Sequence, residues 1–224
     1  MFEIITITCG RTLYLNRLLK SISSQSNHFI KKHKIIFQDN SFEEKVFENV
    51  NDEYKSKINI IKTQTKKTVG SILNEIKTEE TDCPYVMKLD DDAIIRSQDF
   101  FENASEITKL IPGSVFSPFP VGLINNLGGI QSNNRKVLYS ENLNIFYTFR
   151  KVNHVGGFAR ISPSFYFKSI NFSDSHNEDV EFSNFCHYNN IEMFYLENSL
   201  IIEHQESTLG QHQRYGEKYF KGRF

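Results

Sequence analysis

Over the N-terminal part of this 224-residue chain, short β-branched runs alternate with segments whose apolar residues recur at helical spacing. Glu3-Ile4-Ile5-Thr6-Ile7-Thr8 is the first run, suited to a strand buried on both faces. Cys9-Gly10-Arg11 interrupts it, and Leu15, Leu18, Leu19 and Ile22 then mark one face of a helix. Lys34-Ile35-Ile36-Phe37-Gln38 is the second run, stopped by the turn and cap residues Asp39-Asn40-Ser41. An acidic stretch with Val46, Phe47 and Val50 as its apolar positions reads as an amphipathic helix, and Ile58-Asn59-Ile60-Ile61 as a third strand. Thr68 is placed to cap a helix with Val69, Ile72, Leu73 and Ile76 inward and Gly70 in its first turn. The fourth strand, Pro84 to Leu89, runs into Asp90-Asp91-Asp92. This alternation predicts a mostly parallel α/β sheet with its ligand site beyond the carboxyl ends of the strands. Arg11, Asp39 and Asp90 each fall at such an end and are expected to converge.

The acidic triplet is flanked by Val86-Met87 and by Ala93-Ile94-Ile95, so it is expected at the exposed end of an interior strand. Three adjacent like charges repel, and desolvating them without a cation costs roughly several kcal/mol. A divalent metal removes that cost. A solvated acidic turn is the plain alternative.

Phe100, Ala104, Ile107 and Ile111 outline a further helix, stopped by Pro112-Gly113. From Ser114 to Phe172 the pattern changes to short strands and glycine or proline turns, among them Val155-Gly156-Gly157-Phe158. Asn177-Glu178-Asp179 opens a helix with Phe182, Phe185 and Cys186 inward, ending near Asn189-Asn190. Short strands around 192–196 and 200–203 lead to His204, and a tail mixes Arg214, Lys218, Lys221 and Arg223 with Tyr215, Tyr219 and Phe220.

With 26 Lys plus Arg against 27 Asp plus Glu, the net charge of -1 gives no support to a globally basic nucleic-acid binder. Twenty Phe and no Trp predict a Phe-rich core. No run approaches the roughly 18 consecutive apolar residues of a membrane helix, and the start lacks a basic signal-peptide region, so a cytoplasmic location is expected. Cys9, Cys83 and Cys186 are widely spaced and read as small buried thiols.

In their order, Thr8-Cys9-Gly10-Arg11, Gln38-Asp39-Asn40-Ser41, Gly70 to Asn74, Leu89-Asp90-Asp91-Asp92, Gly156-Gly157 and Glu178-Asp179 resemble glycosyltransferase family 2, which has the GT-A fold. The resemblance runs from the first strand to about His204. It implies an α/β GT-A architecture with a Rossmann-like half, a mostly parallel central sheet and a smaller mixed half on the acceptor side. One domain is expected over 1–224, with a nucleotide-sugar half at 1–113, an acceptor and catalytic half at 114–204, and the basic aromatic tail at 205–224.

Asp90 and Asp92 match the family's Asp-x-Asp, which holds Mn²⁺ or Mg²⁺ at the donor diphosphate, and hard oxygen ligands suit such ions. His204 matches a further metal ligand of some members, a nitrogen that tilts the preference toward Mn²⁺. Thr8, Arg11, Asp39, Asn40, Gly70, Asn74, Asp90 and Asp91 match the nucleotide-sugar side, with a UDP-sugar as the implied donor. Asp179 matches the catalytic base, while Glu178, His154, Gly156, Gly157 and Phe158 fall on the acceptor side. A residue that merely complements a helix N-terminus is the plain alternative for Glu178 and Asp179.

Two departures touch the nucleotide side. Gln38 stands where an aliphatic or acidic residue is common, and Lys66-Lys67-Thr68-Val69 replaces a glycine-rich loop, its lysines either near the diphosphate or simply solvated. The implied activity is inverting transfer of a sugar to an acceptor hydroxyl, with a saccharide as the expected acceptor. A phage-type transfer to a hydroxymethylated DNA base, with the tail tracking phosphates, is the second reading. Membrane-surface docking is another use of that tail. A non-catalytic nucleotide-sugar-binding module and a metal-dependent phosphohydrolase are the rivals from other classes.

Overall fold

The structure, a computed structural model, describes residues 1–77, 82–121 and 134–205. The N-terminal part runs β1 (Phe2–Thr8), α1 (Thr12–Ser23), β2 (Ile30–Phe37), α2 (Asp52–Lys55), β3 (Ile58–Lys62), α3 (Val69–Ile76) and β4 (Tyr85–Leu89). After β4 come β5 (Ala93–Ile95), α4 (Phe100–Leu110), β6 (Val115–Ser117), β7 (Phe119–Val121), β8 (Arg135–Ser140), β9 (Ile145–Lys151) and β10 (Ala159–Pro163). The described part closes with α5 (Ser164–Ser169), α6 (Glu178–Tyr188), β11 (Met193–Leu196) and β12 (Ile201–His204).

Among the described residues, nine strands form one sheet in the order β3-β2-β1-β4-β10-β6-β11-β9-β8. The strands β3, β2, β1 and β4 are parallel, as their alternation with helices requires. β10 then enters antiparallel against β4, and the far side of the sheet is mixed. A second sheet, β5-β12-β7, pairs His204 with Ala93.

β4 lies between β1 and β10, so its end is interior on both sides. There the chain changes sheets. Asp90 N–H donates to Phe158 O at 2.9 Å, Ala93 N–H closes a turn onto Asp90 O at 3.1 Å, and the chain continues as β5. The three aspartates are therefore the turn that joins the two sheets.

Phe2, Phe37, Phe100, Phe101, Phe116, Phe149, Phe182 and Phe194 are buried, giving the expected Phe-rich core. Cys83 and Cys186 are buried, but Cys9 is exposed, because it lies in the turn that leaves β1. The expected helix around Val46, Phe47 and Val50 is instead a short 3-10 turn at Glu44–Phe47 followed by the single-turn α2. Asn51 causes the break, since its side chain accepts from Tyr54 N–H at 2.8 Å and starts a new helix. Tyr54 is then pulled fully into the core, its hydroxyl 2.5 Å from His33 Nδ1, while His33 Nε2 lies 2.9 Å from Thr6 Oγ1. Burial holds the His33 pKa down at about 3, so the ring is neutral and serves as a polar tie between β1, β2 and α2.

Thr68 caps α3 as expected, accepting from Ser71 N–H at 3.2 Å. The first turn of α3 packs against the loop that precedes α6. Gly70 N–H donates to Ser175 O at 3.0 Å, and a Cβ at Gly70 would lie 2.0 Å from Ser173 O. Among the described residues, no helix is long and apolar enough to cross a membrane. Gly70→Ala therefore forces backbone away from backbone and is expected to cost about 1–3 kcal/mol of stability in urea denaturation. An unchanged midpoint would show that the 173–175 loop yields freely.

Candidate active site

The turn after β4 sends two of its carboxylates to Arg11 and the third to Lys88. Asp91, with its side chain 1% exposed, points inward and accepts from Thr8 Oγ1 at 2.7 Å and from Arg11 Nε at 3.0 Å, and it also pairs with Arg11 Nη2. Asp92 is also buried, its Oδ2 accepting from Arg11 Nη1 at 2.9 Å with His204 Nε2 3.5 Å away. Asp90 stays 35% exposed and accepts at Oδ1 from Lys88 Nζ at 2.7 Å. The triplet was expected as a whole at an exposed strand end, yet only its first member reaches the surface. Arg11 is the reason, because it enters beneath the turn and neutralises the two carboxylates that point inward.

Burial works against the Arg11 charge, and Asp91 and Asp92 more than offset it, so the guanidinium is held above its ordinary range. Burial pushes the Asp91 carboxyl up to about 6, against the pull of Arg11 and the Thr8 hydroxyl. Thr8 and Arg11, both assigned to the nucleotide side by resemblance, thus spend their polar atoms on the floor of the site.

One atom in this floor lacks a partner: Asp92 Oδ1 is buried without a hydrogen bond. A buried orphan carboxylate oxygen is costly unless a cation meets it. Ligand atoms of Asp90, Asp92 and His204 lie within 4.8 Å of one another. Two carboxylates and an imidazole suit Mn²⁺ or Mg²⁺, with the nitrogen favouring Mn²⁺. The small sheet creates this arrangement, since β12 brings His204 beside β5 and Gln205 N–H donates to Asp92 O at 2.8 Å.

Beside this cluster stand the residues that the resemblance assigns to the acceptor side. Lys88 Nζ, besides holding Asp90, donates to Gly157 O at 2.5 Å and lies 3.2 Å from Glu178 Oε1. Burial opposes the ammonium charge, but Asp90 and Glu178 outweigh it and hold Lys88 above the usual lysine range. Gly157 packs tightly against Lys88 and Glu178: a Cβ would come within 2.8 Å of Glu178 Oε1 and 3.3 Å of Lys88 Nζ, so a side chain there would press on the Lys88–Glu178 contact. Gly156 N–H donates to Tyr195 Oη at 3.0 Å, and Phe158 is buried.

Asp179, in the first turn of α6, faces His154. Its Oδ2 is 3.5 Å from His154 Nε2, and its Oδ1 accepts from Val180 N–H at 2.8 Å. Ser183 Oγ lies 2.9 Å from His154 Nδ1 and donates to Asp179 O at 2.8 Å, fixing the ring against the helix. Burial favours the neutral acid, yet the His154 ring and Lys88 bring the Asp179 pKa down to about 2.

Asp39 and Asn40, assigned to the nucleotide by resemblance, are exposed with φ of 54° and 52°, a left-handed pair after the end of β2. Such non-glycine conformations cost on the order of 1 kcal/mol each and gather at functional sites. Gln38 is buried and accepts from Lys67 N–H at 2.7 Å, while Lys67 Nζ pairs with Glu75 at 2.6 Å. Gly70 and Asn74 face the loop before α6, with Asn74 donating to Phe172 O at 2.7 Å and accepting from Phe172 N–H at 3.1 Å. The same loop is held by Asp174, which accepts from Thr68 at 2.5 Å and Ser71 at 2.6 Å. The tail residues 206–224 lie outside the described residues.

No protein-family model and no curated protein matches the sequence. Solved structures do match. TarS residues 1–349 from S. aureus is 17% identical, with a TM-score of 0.66 over 92% of this chain and 60% of that one. The same protein in complex with UDP-GlcNAc is 14% identical, with a TM-score of 0.65 over 90% of this chain and 57% of that one. GalNAc-T7 with UDP, GalNAc and Mn²⁺ is 9% identical, with a TM-score of 0.63 over 94% of this chain and 44% of that one. The fold is that of GT-A glycosyltransferases. The chain spans 60% or less of the length of these three structures, and the acidic group formed by Asp90 and Asp92 is consistent with a GT-A Asp-x-Asp.

Lys88, Ser183 and Tyr195 also belong to this arrangement, with the buried Arg160 opposite Lys88 on β10, and none of the four is singled out by the sequence. The signal for Lys88 and Arg160 was a cation inside an apolar strand run, which is uncommon unless the charge is paired. Because Asp179 is held below its unfolded value of 3.8, it contributes stability above that pH and loses it as pH falls toward about 2. Asp179→Asn is expected to be about 2 kcal/mol less stable than wild type at pH 7, a gap that closes in urea titrations between about pH 4 and pH 2. A pH-independent gap would remove the ionised Asp179 from this account.

Proposed function

We propose that this chain is an inverting, metal-dependent glycosyltransferase of the family 2 kind, moving a sugar from a UDP-sugar to a saccharide hydroxyl. It would work as a single domain with a nucleotide-sugar half and an acceptor half. The observation that carries the reading is the meeting, through Lys88, of a cation-ready cluster at Asp90, Asp92 and His204 with an ionised Asp179 on α6. The complexes of GT-A proteins with UDP-GlcNAc and with UDP, GalNAc and Mn²⁺ support the donor class.

In this reading Asp90, Asp92 and His204 hold Mn²⁺ or Mg²⁺, which when bound offsets charge on the leaving diphosphate and is worth roughly several kcal/mol. Asp39 and Asn40, exposed beside Cys9 and Gly10, meet the nucleotide. Thr8, Arg11 and Asp91 form the rigid floor beneath it, and Gly70 and Asn74 act through the loop that positions α6. Asp179 accepts the proton of the acceptor hydroxyl as that oxygen attacks the anomeric carbon. His154, braced by Ser183, keeps the Asp179 carboxylate aimed, and the Gly156-Gly157-Phe158 segment lines the acceptor side.

Two adjacent acids compete for the base, and the geometry separates them. Glu178 is buried and paired with Lys88, whereas Asp179 is more open and, among the described residues, lies against an imidazole and accepts from one backbone N–H. A single base without a covalent intermediate implies inversion.

Thermal melts with UDP-sugars and Mn²⁺ are expected to rise by mass action, and to lose that rise in excess chelator. The same chelator is expected to stop transfer, and full activity in its presence would refute the metal's role. Asp179→Asn is expected to lower kcat by about 10²- to 10⁴-fold with nucleotide binding retained. Turnover within a few-fold of wild type would sink the assignment of the base.

A further inference from the structure

Lys88 is a buried cation that touches both the acidic turn and α6. Its side chain is 7% exposed, and an ammonium has three donors. It meets oxygens from three separate segments: hydrogen bonds to Asp90 Oδ1 in the turn after β4 and Gly157 O in the loop before β10, and an ion pair with Glu178 Oε1 of α6 at 3.2 Å. The Glu178 side chain is itself only 8% exposed. Directly across the ladder from Lys88 stands Arg160, also buried, with its guanidinium carbon 3.7 Å over the Phe182 ring. Like charges opposed on neighbouring strands repel. The acids around them, Glu178 above all, make the arrangement tolerable.

Lys88 engages one oxygen of Asp90, and no hydrogen bond among the described residues engages the other. Arg11 does the same for Asp92, taking Oδ2 and leaving Oδ1 bare. Each of the two carboxylates is thus fixed by a cation through one oxygen and presents the other. Lys88 alone continues to α6, where it holds the residue immediately before Asp179.

We propose that Lys88 is a positioning residue that sets the metal-binding oxygen of Asp90 and the carboxylate of Asp179 in fixed relation. This rests on the glycosyltransferase reading above. Partners behind a metal ligand orient it, and their loss typically costs 10- to 100-fold in metal affinity or activity. A base displaced by about 1 Å costs about 10²-fold in rate.

The test uses the full chain and compares wild type with Lys88→Met/Glu178→Gln. This pair removes one buried cation and one buried anion together, so the net charge is unchanged and neither group is left buried without its partner. Mn²⁺ alone is titrated and followed by electron paramagnetic resonance, and UDP-sugar turnover is measured separately at saturating Mn²⁺. The expected result is Mn²⁺ binding weaker by about 10- to 100-fold. At saturating Mn²⁺, kcat is expected to stay about 10²-fold low while the acceptor KM scarcely moves. Wild-type affinity and kcat in the double variant would overturn the proposal.

Glu178→Gln alone leaves Lys88 on Asp90 and Gly157 and loosens only α6. Unchanged Mn²⁺ affinity with kcat about 10-fold lower or more supports the proposal. Wild-type kcat overturns it, and this variant decides the matter if the double variant does not fold. A wild-type chain that neither binds Mn²⁺ nor turns over a UDP-sugar overturns the glycosyltransferase reading itself. That outcome is distinct from an active wild type whose variants are indifferent.

Discussion

Three consecutive aspartates can close a strand in the interior of this sheet because two cations meet them from inside. Arg11 comes from the turn after β1 and Lys88 from β4 itself. The cations differ in a way that suits their tasks. The planar guanidinium spans two carboxylates with a fixed fork, locking Asp91 and Asp92 together, while the ammonium is a point charge that can gather acceptors from three directions. Two positive charges against three negative ones leave the triplet short of one positive charge. The deficit has a location, since Asp92 Oδ1 is buried and bare beside His204 and Asp90.

The two sheets divide the labour around that turn. The parallel strands bring Thr8, Arg11, Asp39 and Asp90 to one edge, because parallel strands end on the same side. The small sheet exists to return the chain: β5 leaves the triplet, and β12 comes back antiparallel with His204 opposite Ala93. On the other side, the first turn of α3 holds the 172–175 loop through Gly70, Asn74, Thr68 and Ser71, and that loop delivers α6. α3 thereby sets the place of α6.

Much of this was legible beforehand, for a physical reason. Periodicity reports burial, so the alternation of β-branched runs with 3.6-residue spacing located the parallel strands and the acidic strand end. Thr68 as a cap follows from local hydrogen-bonding chemistry, and α6 starts at Asn177-Glu178-Asp179 without a cap hydrogen bond from the Asn177 side chain. Periodicity cannot report which partner a polar residue takes across the chain. Arg11 and Asp91 are 80 positions apart, so nothing local distinguishes an arginine that meets a nucleotide from one that braces a turn. Lys88 was read as part of an apolar strand because its neighbours Met87 and Leu89 are apolar, although its charge demanded a partner. The helix expected near Val46 failed on a local rule that its apolar spacing concealed, the capping preference of Asn51.

Adjacent acids at the start of α6 show how a helix can split two similar groups into different chemistries. Successive side chains on an α-helix diverge by about 100°, so Glu178 and Asp179 cannot share one environment. Glu178 turns inward to a buried ammonium and a glycine that has no side chain to obstruct it. Asp179 turns toward His154, where Val180 N–H at the positive end of the helix stabilises its ionised form. A carboxylate surrounded by buried cations would be unable to reach an incoming hydroxyl. One that is ionised, partly open and held by an imidazole can. Gly157 leaves room for this division, because a Cβ there would lie 2.8 Å from Glu178 Oε1 and 3.3 Å from Lys88 Nζ and would press on their ion pair.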